Sequence, residues 1–253
     1  MHVFEHTLNP VILDLGPVEI RWYGVMWALA FLFVYWYVRK AARQGMIKLR
    51  DDDVDLLMVW LVVGVIIGAR LFEVLVWEPA YYFANPSEIV AIWRGGLSFH
   101  GGLLGGLIAG YLFARKRKIS FLRLCDVCIV PIALGQAFGR VGNFINGELW
   151  GRITSVPWAV RFPGAEGYRH PSQLYEALYN VLIFIVLLKL AGKIRQDGFI
   201  FALFLVLYAV FRFVAEFFRE PTAYVIGLTL GQALCIPMLL FGIWLFWYSK
   251  SFK

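Results

Sequence analysis

Charge and cysteine are what this sequence has least of. Only 16% of its 253 residues are charged while 60% are hydrophobic and 17% aromatic, far more apolar surface than one water-soluble core encloses. Lipid must therefore be the solvent for much of the chain. Three cysteines are too few for a secreted disulfide framework, and the pair Cys125 and Cys128 lacks a second pair to complete a metal site. All three read as apolar filling. The four histidines show no metal-ligand spacing such as HExxH, so no metal is expected. No nucleic-acid-binding motif accompanies the formal charge of +7, which excludes DNA and RNA as partners. Residues 1–20 lack a basic stretch and a small-residue cleavage site, so the first membrane helix is expected to stay in the mature protein. His2 and His6 read as exposed tail. With no repeat or low-complexity segment, residues 1–253 read as a single membrane domain.

Apolar runs long enough for the hydrocarbon core of a bilayer cover residues 20–38, 54–77, 96–114, 123–139, 172–191, 198–217 and 226–248. The sequence thus predicts an all-α integral membrane protein with about seven crossings. The fourth run is interrupted by Asp126, Pro131 and Gln136. Lysine and arginine set the orientation, being retained on the cytoplasmic side. Arg39, Lys40, Arg43, Lys48 and Arg50 follow the first run; Arg115, Lys116, Arg117, Lys118 and Arg123 follow the third. Lys189, Lys193 and Arg195 follow the fifth, and Lys250 and Lys253 the seventh, whereas the alternate connectors contain no lysine. That pattern puts the N-terminus outside and the C-terminus in the cytoplasm. The long connector 140–171 between the fourth and fifth helices then lies outside, and connectors of that length are commonly functional. Asp51–Asp53 read as a solvated cytoplasmic helix start.

Ionisable groups inside membrane helices are costly and mark function by default. Arg70 and Glu73 fall late in the second run, His100 opens the third, and Arg212 and Glu216 end the sixth. Tyr23 and Arg140 stand at the corresponding ends of the first and fourth, so these groups converge on the outer leaflet boundary. His100 is followed by Gly101, Gly102, Gly105 and Gly106, which permit close helix approach and are expected to leave room for a lipid beside the imidazole. Tyr208, Arg212 and Glu216 share one helix face. A Glu216–Arg212 ion pair that only neutralises charge, and one that orients Arg212 toward phosphate, are both open readings. Arg140, Asn143, Asn146 and Glu148 alternate with Gly139, Gly142, Gly147 and Gly151, fitting either a turn scaffold or an anion site. His170 and Ser172 read as structural, with Ser172 or a neighbour as an N-cap.

The segments HGGLLGG at 100–106, GRVGNFINGELWGR at 139–152, RHPSQLYE at 169–176 and YAVFRFVAEFFREP at 208–221 resemble the prolipoprotein diacylglyceryl transferase family of bacterial inner membranes. RWYGVMW at 21–27 is similar to its first-helix segment. The resemblance implies transfer of an sn-1,2-diacylglyceryl group from phosphatidylglycerol to the lipobox cysteine of a prolipoprotein signal peptide, with release of glycerol phosphate and no cofactor. It further implies catalytic roles for His100, Arg140 and Arg212, and substrate-binding roles for Tyr23, Asn143, Glu148, Gly151 and Tyr208. Two departures stand out: the connector from Gly151 to Arg169 is short for the family, and Phe72-Glu73 replace a glycine-tyrosine pair, which leaves Arg70 and Glu73 without a role. Among rival classes, an anion transporter would spread its arginines through both leaflets. A non-catalytic lipid-binding scaffold gives no reason for His100, and a membrane-bound O-acyltransferase is usually a longer chain.

Overall fold

The computed structural model describes residues 4–16 and 19–251. His2 and Lys253, and the side chain of Lys250, lie outside the described residues. The order of elements is β1 (Phe4–Glu5), β2 (Val11–Asp14), β3 (Glu19–Arg21), α1 (Trp22–Arg43), α2 (Asp51–Phe72, continued by a π turn Glu73–Trp77), α3 (Pro79–Ala84), α4 (Phe99–Arg117), α5 (Phe121–Ile145), β4 (Val160–Arg161), α6 (Ser172–Ala191), α7 (Phe199–Ala215), β5 (Tyr224–Val225), β6 (Leu228–Thr229) and α8 (Leu230–Ser251). A helix overlies each apolar run. Five of them are long and apolar enough to cross a membrane: α1, α2 with its π extension, α5, α6 and α8; α7 is a shorter apolar helix. Large apolar side chains such as Leu32, Trp36, Leu240 and Trp247 lie exposed along them, the expected surface of a multi-pass membrane protein whose outer solvent is lipid.

Contacts divide the chain into two compact units, Met1–Tyr37 with Cys125–Lys253, and Val38–Leu124. In the first, α1 packs on α5 through a row of small residues. A Cβ on Gly135 would lie 3.1 Å from Ala30 Cβ, one on Gly139 3.7 Å from the Trp27 ring, and one on Gly142 2.9 Å from the Tyr23 ring. α5 runs through Pro131 and six residues past its apolar run, to Ile145, so Arg140, Gly142 and Asn143 are helical rather than part of a loop. Asp126 is not a stray membrane charge: its carboxylate accepts the backbone N–H groups of Gly198 (2.7 Å) and Phe201 (2.8 Å), capping the start of α7 from a neighbouring helix.

The connector after α5 is knitted by backbone hydrogen bonds. Gly151 N donates to His170 O (2.9 Å), Arg152 N to Phe218 O (2.9 Å) and Val160 N to Arg169 O (3.0 Å), and β1 pairs in parallel with β4. That pairing overturns the reading of His6 as exposed tail. His6 is buried, bonds Phe144 O through Nε2 at 2.7 Å and packs against Phe144 and Phe162. Of Ser172 and its neighbours, it is Pro171 that holds the N-cap position, without a side-chain cap bond, and the buried Ser172 hydroxyl donates to Leu149 O (3.1 Å), tying α6 to the connector.

In the second unit, α2 and α4 touch backbone to backbone. A Cβ on Gly68 would sit 2.7 Å from Gly105 Cα, and Gly102 and Gly106 meet Val65. The glycines after His100 therefore serve helix packing and, contrary to the sequence expectation, keep no space for lipid on that face. The helix start at Asp51 is as expected, yet only partly solvated. Asp51 pairs with Arg39 (3.1 Å) and Arg43 (2.6 Å), while Asp53 is buried against Arg117 (2.9 Å). All three cysteines are free and buried, as their apolar setting implied.

Candidate active site

Three arginines and two carboxylates meet inside the first unit. α6 contributes Glu176, which is wholly buried. Its Oε2 lies 3.0 Å from Arg140 Nε on α5, its Oε1 is 3.8 Å from Arg212 Nη1 on α7, and Arg219 Nη1 donates to the same Oε1. Glu216, at the end of α7, pairs with Arg212 through Nη2 and with Arg219 Nε at 3.4 Å. Thr229 donates to the other oxygen of Glu216 at 2.9 Å. The expected Glu216–Arg212 ion pair is thus present as one edge of a larger network. Glycine makes room for it, since any Cβ on Gly231 would run into the Glu216 carboxyl group.

Charge in this cluster does not cancel. Three guanidinium groups face two carboxylates, leaving one positive charge in a setting where desolvation makes unbalanced charge costly. One donor also stays unused. Arg212 Nη1 is buried with no hydrogen-bond partner among the described residues, and 3.8 Å from Glu176 is too long for a bond. A surplus positive charge and an unsatisfied guanidinium nitrogen together fit an anionic oxygen from a ligand.

Several predicted residues attach to this centre. Arg140 Nη1 reaches Asn143 Oδ1 (3.4 Å), and Asn143 and Asn146 donate to Glu148 Oε1 at 2.8 and 3.2 Å. Glu148 therefore fixes the amide that flanks Arg140, and its own carbonyl accepts Gln173 Nε2 at 2.6 Å. Tyr208 packs edge-on against Tyr179, 5.9 Å between ring centres, and Tyr179 donates to Glu176 Oε2 at 3.4 Å. Tyr23 lies over Gly142 and against Trp27, without a described bond to the cluster. Gly151 bridges to Arg219, and a side chain there would strike the Phe218 carbonyl and His170; it lets the connector close down on the end of α7.

His100 belongs to the other unit. Its ring is exposed, flanked by Phe72 and Phe99, and makes no hydrogen bond among the described residues. Arg70, which the sequence left without a role, is buried and bonded to the backbone of the segment after α3. Nε donates to Ile89 O (2.8 Å), Nη1 to Gly95 O and Gly96 O (2.7 Å each) and Nη2 to Glu88 O, with Tyr82 beneath. Its donors are occupied in holding that segment, not open to substrate. His170 Nδ1 meets the Tyr175 hydroxyl at 3.1 Å and the ring packs on Phe218, and desolvation lowers its pKa below the ordinary value. Its expected structural part agrees with this packing.

Sequence reasoning missed Glu176 and Arg219. Both lay inside segments that carried the family resemblance, and a lone glutamate early in an otherwise apolar helix is the signal that singled out Arg212. Among the described residues no cluster of histidine, cysteine or carboxylate suited to a metal occurs.

The family model for Prolipoprotein diacylglyceryl transferase matches residues 10–248 of the chain. A Geobacter sulfurreducens protein named phosphatidylglycerol–prolipoprotein diacylglyceryl transferase is 46% identical over 247 residues, covering 95% of this chain and 94% of its own. Proteins of the same name from Nitratidesulfovibrio vulgaris (43% over 245 residues, 94% and 93% covered) and Bordetella parapertussis (45% over 250 residues, 96% and 95% covered) are similar along the same length.

Proposed function

The chain belongs to the prolipoprotein diacylglyceryl transferase family, and on that footing we propose that it transfers the sn-1,2-diacylglyceryl group of phosphatidylglycerol to the lipobox cysteine of a prolipoprotein. The sulfur attacks the glyceryl carbon that bears the phosphate, the S–C bond forms as the C–O bond breaks, and the electron pair leaves on glycerol phosphate. The observation that carries this reading is the three-arginine, two-carboxylate centre with Arg212 Nη1 unsatisfied. A phosphodiester monoanion matches its surplus charge.

Arg140 and Arg212 act as the phosphate clamp. Negative charge grows on the leaving phosphate, and fixed donors in a poorly hydrated site stabilise it without reorganising, each by about 3 to 4 kcal/mol in comparable oxyanion sites. Asn143 and Glu148 hold Arg140, and Tyr208 packs on the tyrosine beside Glu176. Tyr23 and Gly151 line the approach of substrate. The attacking thiol, whose ordinary pKa is about 8.5, needs a base to be stripped of its proton, and the His100 imidazole takes it. Support for that role lies in its exposed ring, free of other described bonds.

The enzyme is read as a single membrane domain of the bacterial inner membrane with seven crossings, N-terminus outside and C-terminus cytoplasmic. Its site opens toward the outer leaflet, where a lipid headgroup and a secreted precursor's signal peptide meet. The lysine-bearing connectors support this orientation. Incubating the purified protein with phosphatidylglycerol vesicles and a lipobox peptide tests the reaction: mass spectrometry should find the peptide heavier by one diacylglyceryl group, with glycerol phosphate released. An unmodified peptide, or one gaining a single acyl chain, would refute it.

A further inference from the structure

Glu216 occupies a seat built by the first turn of α8. Thr229 and Gln232 cap that helix reciprocally: Gln232 N donates to Thr229 Oγ1 (3.2 Å) and Thr229 N to Gln232 Oε1 (3.1 Å), the paired bonds of a capping box. A hydroxyl that accepts one bond still has its own proton to give, and Thr229 gives it to Glu216 Oε2 at 2.9 Å. All three side chains are buried, so water offers Glu216 no competing partner. Gly231 shapes the floor, because any Cβ there would overlap the carboxyl group. The positive end of α8 adds a favourable field for the carboxylate.

The two oxygens of Glu216 are thereby divided. Oε2 is fixed by Thr229, and Oε1 is left to Arg212 Nη2 and Arg219 Nε. With Nη2 held, the planar guanidinium of Arg212 has one orientation, and that orientation leaves Nη1 without a hydrogen-bond partner. We propose that Thr229 is a positioning residue for the transfer reaction: its hydroxyl locks the Glu216 carboxylate so that Arg212 presents Nη1 to the phosphodiester. This inference rests on the reading of Arg212 as a phosphate ligand. A valine at 229 preserves volume but removes both the cap acceptor and the donor to Glu216, whereas serine keeps both.

The test is steady-state transfer by purified Thr229→Val, Thr229→Ser, Glu216→Gln and the Thr229→Val/Glu216→Gln double variant, with thermal melts of each. Losing a hydrogen bond to a charged group predicts a fall in kcat of about tenfold for Thr229→Val, with KM for the precursor peptide unchanged. Thr229→Ser should restore kcat, and the double variant should be no slower than Glu216→Gln alone, because both changes break one linkage. A merely structural cap would lower the melting temperature while leaving kcat of the folded enzyme intact, or would give losses that multiply; either result overturns the proposal. Arg212→Lys in the same series separates the two readings. If it is fully active, the clamp itself is wrong; if it is inactive while Thr229→Val turns over normally, only the Thr229 inference falls.

Discussion

At the scale of single residues, Glu176 governs the centre. A carboxylate with no access to water persists only where positive charge surrounds it, and Arg140, Arg212 and Arg219 do so from three directions. Neutralising it leaves three guanidinium groups on one carboxylate. Breaking such a buried pair typically costs about 3 to 5 kcal/mol, so Glu176→Gln should lower the melting temperature sharply and abolish transfer. Glu220→Gln provides the contrast, since its pair with Arg169 is half exposed and pairs of that kind contribute about 0 to 1 kcal/mol. Thermal melts of the two variants side by side check the difference. His170 gives a pH signature. Its folded pKa lies below the unfolded value, so the unfolded chain takes up the proton first as pH falls below about 6.5. Stability is therefore full above that pH and declines beneath it. Melting curves from pH 8 to about 5 should show this decline, and His170→Gln should flatten part of it.

At the scale of elements, small residues decide where helices meet. Gly142 lets α1 lie on α5 with the Tyr23 ring across it, two residues along the same helix from Arg140. Gly142→Leu should force that contact apart and, through over-packing, cost about 1 to 3 kcal/mol. Transfer should fall further than a stability loss of that size explains, because Arg140 and Tyr23 move with the two helices; measuring kcat on folded protein at low temperature isolates the effect. The helices over the apolar runs were legible from those runs alone, but the short α3 and the helix ends were not. α5 continues to Ile145 because the polar residues of its last two turns find partners in Glu148 and Glu176, contacts that hydropathy does not register. The buried setting of His6 was hidden for the same reason: a two-residue parallel pairing of β1 with β4 brings together segments far apart in the chain.

At the scale of the whole molecule, the motifs pointed to segments that the fold gathers into one arginine–carboxylate centre, while two residues of that centre stayed unseen. Arg140 and Arg212 were legible as charges in apolar helices. Glu176 carried the same signal and was passed over; Arg219 was not legible, because its importance lies in bonds from the segment after α7 to Glu176 and Glu216. Orientation is testable directly: a single cysteine introduced at Lys118 should resist an impermeant thiol reagent applied to intact cells, and one at Gly164 should react, given that the native cysteines are buried. The central claim is that guanidinium forks from separate helices hold one lipid phosphate. The most direct measurement is the transfer rate, read by mass spectrometry of a lipobox peptide, for Arg140→Lys and Arg212→Lys against His100→Asn and the unaltered enzyme. Each lysine variant should lose about 100-fold or more, as oxyanion-site deletions do, and more than His100→Asn. Near-normal rates for both lysine variants would contradict the account.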